Sequence, residues 1–137
     1  MPVVQFSQRD INRGRIIDPA WYRVRIDTIG EVPTTTAKGP SINYPVEAVI
    51  LFNGDTGAKD FTDCPIDWTF NSKAIGFAVG LLKALGVEVT PDKRFELKSC
   101  EGREVDVYIE NDTYQNRLVN KMNHKYREVR ADISAVD

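Results

Sequence analysis

Between residues 21 and 28 apolar and polar side chains alternate without a break. Tyr22, Val24 and Ile26 fall on one side, and Trp21, Arg23, Arg25 and Asp27 on the other. A period of two with β-branched and aromatic members marks a strand buried on one face. The pattern returns at 103–110, where Val105, Val107 and Ile109 oppose Glu104, Asp106, Tyr108 and Glu110. Two such segments far apart in the chain need a common core, which excludes a helical bundle. Further strands are expected over 44–52, 59–70 and 117–126. The first of these ends in Asn53-Gly54-Asp55-Thr56-Gly57, a hairpin signal. The second carries Phe61, Ile66, Trp68 and Phe70, with Pro65 implying an edge, a bulge or a break. Residues 30–43, rich in Thr, Gly and Pro, read as a flexible loop, and 111–116 as a polar turn.

One helix is expected, over 72–85. Asn71 or Ser72 caps its start, and Gly86 stands where a left-handed residue ends a helix. Ile75, Ala78, Val79, Leu82 and Leu85 make one apolar stripe, while Gly76 and Gly80 make the helix depend on packing. The order is three strands, a helix and two strands, with a linker over 87–98. That is the layout of a mainly β, five-stranded OB-type Greek-key barrel with its helix between strands three and four. A small antiparallel roll, or an open sheet with the helix on one face, is the rival. The 137 residues suit one domain, read as an arm (1–18), a barrel (19–130) and a short tail (131–137).

No apolar run approaches the roughly 20 residues of a membrane helix, and the N-terminus lacks a signal-peptide layout, so a cytoplasmic location is expected. Cys64 and Cys100 read as buried or half-buried free thiols. The lone histidine, His124, reads as a surface residue, and the cysteines are too far apart in sequence for a zinc motif. No metal, cofactor or catalytic activity is expected. Asp60, Asp63 and Asp67, or Asp106 and Glu110, read as solvated acids along strands rather than a metal cluster.

The net charge of −2 hides a segregation. Residues 1–25 carry +3 and residues 117–130 carry +4, which leaves −9 for the rest. A polyanion responds to the local patch. Sequence-tolerant binding of single strands needs cations for phosphates and aromatic faces for bases. Trp21, Arg23 and Arg25 offer both on one strand face. The competing reading packs Trp21 under the arm and pairs the arginines with the acids of 103–110. OB ligand faces lie across strands two and three between two flanking loops, which nominates Lys38, Tyr44, Tyr114 and Arg117. Lys121, Lys125 and Arg127 either extend the track or form a solvated edge. Trp68 reads as core. The alternative function is a protein-interaction or structural barrel module without nucleic acid. Val49 and Leu51 favour it, because they make the 44–52 strand apolar on both faces and suit a docked protein or a homodimer.

Three segments carry a family likeness: Pro19-Ala20-Trp21-Tyr22-Arg23-Val24-Arg25-Ile26, Leu81-Leu82-Lys83-Ala84-Leu85-Gly86-Val87, and Glu101-Gly102-Arg103-Glu104-Val105-Asp106-Val107-Tyr108-Ile109. With Tyr114, Arg117-Leu118-Val119-Asn120 and Tyr126-Arg127, the chain from Pro19 to Arg127 resembles small phage single-stranded DNA-binding proteins. The resemblance implies an OB-like domain that coats single strands in the infected cell, with phage recombination or replication proteins as partners. Many single-strand binders end in a long acidic tail that recruits partners. Asp132 and Asp137 are the only acids after residue 130 here, so the resemblance does not carry that recruitment over.

Overall fold

The structure is a computed structural model. It describes residues 15–37, 39–72, 76–87 and 97–136, together with Ile11, and for 36, 76–78, 97, 123 and 124 the backbone only. The strands are β1 (Ala20–Ile29), β2 (Val32–Thr36), β3 (Gly39–Asn53), β4 (Pro65–Asn71), β5 (Glu104–Tyr114) and β6 (Arg117–Arg127). One helix, α1 (Gly76–Leu85), and a 3-10 turn (Leu97–Cys100) lie between β4 and β5. The chain is mainly β, and its strands form a single antiparallel sheet curled into a half-barrel.

β3 is the spine. Its Val46–Asn53 stretch pairs with β1, and its Asn43–Val49 stretch pairs with β4. Ile29 faces Val46 and Val32 faces Asn43, so β2 continues the track of β1 along β3 in unbroken register. Gly30 N–H donates to Pro45 O (2.9 Å) across the interruption. β5 lies on the other edge of β1, and β6 beyond it. The sheet therefore ends in β4 and β6, and among the described residues no ladder joins them.

Several boundaries differ from the expected ones. The 30–43 stretch is not a loop but largely the β2–β3 ribbon. Val32, Thr34 and Thr35 are β-branched strand formers, and Pro33 and Pro40 sit where the ladder tolerates a missing donor. This break in the first track is why the sheet has six strands rather than five. Residues 59–63 are not strand, and Pro65 opens β4, a position open to a residue without an N–H. The 111–116 turn shrinks to Gln115-Asn116, both at positive φ (50° and 63°). These are the dihedral signs of a two-residue hairpin that follows the strands' own twist.

The core lies between the concave face of the sheet and α1. Tyr22, Val24 and Ile26 face Val105, Val107 and Ile109, with Val46, Ala48 and Ile50 alongside. Ile66, Trp68 and Phe70 of β4 complete the wall, each buried as period two demands. α1 covers it with Leu81, Leu82, Ala84 and Leu85 and rests against β6 and β5. Each large apolar side chain so buried stabilises the fold by about 1.5–3 kcal/mol. Val79, expected on the buried stripe, is 46% exposed, because the stripe centres on Leu81 and Leu85. Ile75 lies outside the described residues, as does the side chain of Ala78. Gly86 (φ 72°) ends the helix: its N–H donates to Lys83 O and that of Val87 to Leu82 O, a Schellman closure. Cys64 and Cys100 are free and buried, and burial pushes both thiols up. No described helix is long and apolar enough to cross a membrane.

Candidate nucleic-acid interface

The convex face of β1 and β5 carries Trp21, Arg23, Arg25, Asp106 and Tyr108, as alternation requires. Arg23 is not offered to solvent. It is 6% exposed, and its Nε donates to the fully buried carboxylate of Asp106 at 3.1 Å. Its remaining nitrogens donate to Arg130 O (3.0 Å) and Ile133 O (3.3 Å), so the C-terminal segment lies across this face. Arg127 Nε takes the second Asp106 oxygen at 3.0 Å, and its Nη2 reaches Asp55 at 2.6 Å. The Arg127 guanidinium stands 4.5 Å over the Trp21 ring, which meets Tyr108 edge-on at 5.5 Å. Arg23 covers Phe52 at 5.1 Å, and Lys125 covers Tyr108 at 5.4 Å. Cations and aromatics interleave here as the sequence suggests, yet they interleave with each other. Arg25 remains exposed and turns to Asp27 of its own strand, 3.2 Å away.

The β5–β6 hairpin runs on past Ala20, the end of β1, as a two-stranded ribbon. Its convex side is a ladder of opposite charges. Lys125 pairs with Glu110 (2.9 Å) and Lys121 with Asp112 (3.0 Å). Hydrogen bonds from Lys121 and the Thr113 N–H hold the Asp112 carboxyl below the usual carboxylate range, and Glu110 raises Lys125. At the tip the ladder changes character. Arg117 faces Tyr114 instead of an acid, and Tyr114 is 61% exposed. Leu118 beside it is 52% exposed.

Between β4 and β6 lies a groove of about 620 Å³, lined by Arg15, Ile16, Ile66, Asp67, Arg117 and Asn120 among others. Residues 15 and 16 line it, next to the fully buried Ile17. The Arg15 guanidinium reaches the β3–β4 loop, where it donates to Asp60 O (3.3 Å) and lies 5.0 Å from the Phe61 ring. Among the described residues neither Arg15 nor Arg117 pairs with a carboxylate.

Of the expected site residues, the structure makes Tyr114 and Arg117 register partners at the ribbon tip, where Arg117 lines the groove, with Lys121 four residues further along β6. Trp21 and Arg23 are engaged on the convex face and Arg25 at its margin. Tyr44 packs on the core against Phe70 at 5.3 Å. Lys38 lies outside the described residues, as do Arg9 and Arg13 of the arm and the side chain of His124. Val49 is buried, so it offers no docking surface, and Leu51 is half-buried. Arg15 counted in the sequence only towards the charge of residues 1–25, and Asn120 only as part of the Arg117-Leu118-Val119-Asn120 likeness, with no role attached. Among the described residues no three His, Cys, Asp or Glu side chains gather closely enough to hold a metal ion. Comparison with known protein families and with curated proteins finds no match.

Proposed function

We propose that the chain is a non-catalytic, OB-type domain that binds single-stranded DNA along the groove between β4 and β6. One observation carries the reading. Arg15 and Arg117, two guanidinium groups without carboxylate partners among the described residues, line an open groove, and the exposed Tyr114 is the register partner of Arg117. Guanidinium is suited to phosphate, and Tyr114 offers a face on which a base stacks. The fold supports the same reading. With β1 and β2 taken as one bent track, the neighbours run β4-β3-β1-β5-β6, and the fourth track returns after the helix to lie beside the first, as in a Greek key. The β2–β3 and β5–β6 ribbons correspond to the loops that flank OB ligand faces. The resemblance to phage single-strand binders supports recombination or replication proteins as partners.

The test is a fluorescence titration with an unstructured oligonucleotide and with duplex, at low and high salt. Single strands are expected to bind more tightly and to weaken with salt. Tyr114→Ala is expected to lower affinity by about 1–3 kcal/mol with an unchanged circular dichroism spectrum. Equal or tighter duplex binding overturns the proposal. A second reading rests on β4 and β6 ending the sheet with no ladder between them among the described residues: an extended peptide adds there as a strand, and the chain is an interaction module. Peptide binding without oligonucleotide binding selects it.

A further inference from the structure

The geometry points to Asn120 as a positioning residue of this groove, one that presents Arg15 to the bound strand. The inference rests on the single-strand reading above. On its ladder Asn120 faces Asn111 of β5, so its backbone belongs to β6. Its side-chain amide works outward, towards the seam. Oδ1 accepts from Ile17 N–H at 2.8 Å, and Nδ2 donates to Arg15 O at 2.8 Å. One donor and one acceptor on a single amide thus do for residues 15–17 what a neighbouring strand would do. The buried Ile17 fixes one end of this segment. The Arg15 side chain then crosses to the β3–β4 loop, where Asp60 O, the Phe61 ring and Cys64 Sγ (3.9 Å) receive its guanidinium.

Arg15 is therefore tied at its backbone to β6 and at its head to the opposite bank. A guanidinium carries five N–H groups. Those spent on Asp60 O and Cys64 Sγ leave donors for a phosphate in the groove. Without Asn120 the backbone tie is gone, and Arg15 loses its fixed place opposite Arg117. A side chain such as Asp supplies the acceptor but no donor, and Leu supplies neither.

The experiment titrates labelled oligothymidylate against the full chain across a salt series. The proteins are wild type, Asn120→Leu, Arg15→Gln and the double variant, with urea unfolding of each to set conditions in which all are folded. Asn120→Leu is expected to weaken binding about tenfold, the loss of one charge-assisted contact. It should also flatten the slope of log affinity on log salt by about 0.7. Arg15→Gln should do the same, and the double variant should be no weaker than Arg15→Gln alone. Should Asn120→Leu fail to fold, Asn120→Ser, which keeps a donor and acceptor at shorter reach, is expected to give a smaller loss in the same direction. An unchanged slope in the Asn120 variants, or additive losses in the double variant, overturns the role of Asn120 while wild-type binding stands. Absence of binding by the wild type overturns the single-strand reading, and this inference with it.

Discussion

Asp106 is the most consequential side chain of the convex face. Its carboxylate is fully buried, and both its oxygens are taken by guanidinium groups, Arg23 at 3.1 Å and Arg127 at 3.0 Å. Such a group is costly to bury, and breaking it costs more than its formation gains, because a charge is stranded. Asp106→Asn is expected to lower the unfolding free energy by about 3–5 kcal/mol in urea titrations. Arg23→Gln should destabilise in the same sense, so a variant there reports on folding before it reports on ligand. Alternation alone turns Arg23 and Asp106 to the same face. That they are register partners depends on pairing segments 83 residues apart, which local pattern does not encode. Tyr22 offers a second test at this scale. Burial first, and then the nearby Asp18, raise its phenol to about 12. The unfolded chain ionises nearer 10, so the stability tied to the neutral phenol is complete below pH 10 and is lost as pH rises towards 12. Stability measured from pH 9 to 12 should fall for the wild type and fall less for Tyr22→Phe.

At the scale of elements, the C-terminal segment behaves as part of the sheet's outer layer rather than as a free tail. Arg23 donates to two of its carbonyls, and Val136 N–H donates to Gly57 O at 2.9 Å. Gly57 has φ 79°, and a Cβ there would collide with Ser134 O. Gly57→Ala is therefore expected to lift residues 130–136 from the loop. Amide exchange at Val136 should quicken, proteolysis near the C-terminus should increase, and stability should drop by about 1 kcal/mol or more. The tail is short, and nothing in its sequence shows that backbone carbonyls would be captured by an arginine from β1. The strict alternation of β1 and β5 and the Schellman glycine of α1 were legible because each is a local pattern. The β2–β3 ribbon was not, since Thr, Pro and Gly favour loops and paired edges alike, and only the register against β3 decides between them. The seam was hidden for a related reason: it is the place where two strands do not pair.

For the whole molecule, the distribution of charge matters more than its sum. The basic segment 117–130 is largely neutralised in place: Lys121 by Asp112, Lys125 by Glu110, and Arg127 by Asp55 and Asp106. Among the described residues of the groove, Arg117 at the ribbon tip and Arg15 opposite are left to meet an anion, so the ionic part of binding there should be modest. With about 0.7 per neutralised phosphate, two such contacts give a slope near −1.4. The exposed pairs stabilise the fold by only about 0–1 kcal/mol each, since water and salt screen them. Their acids can be removed cheaply, and the freed lysines stand on the same ribbon face as Tyr114 and Arg117. Glu110→Gln combined with Asp112→Asn takes the formal net charge from −2 to zero. That double variant is expected to unfold at nearly the wild-type urea concentration, to bind single strands more tightly, and to steepen the salt slope by up to about 1.4. Glu31→Gln combined with Glu47→Gln makes the same change in net charge on two exposed acids that do not line the groove. Its effect on the slope should be smaller, because it releases no cation at the ribbon tip. Equal responses from the two double variants would mean that the chain senses only its total charge, and the β5–β6 ribbon would lose its claim to the binding path.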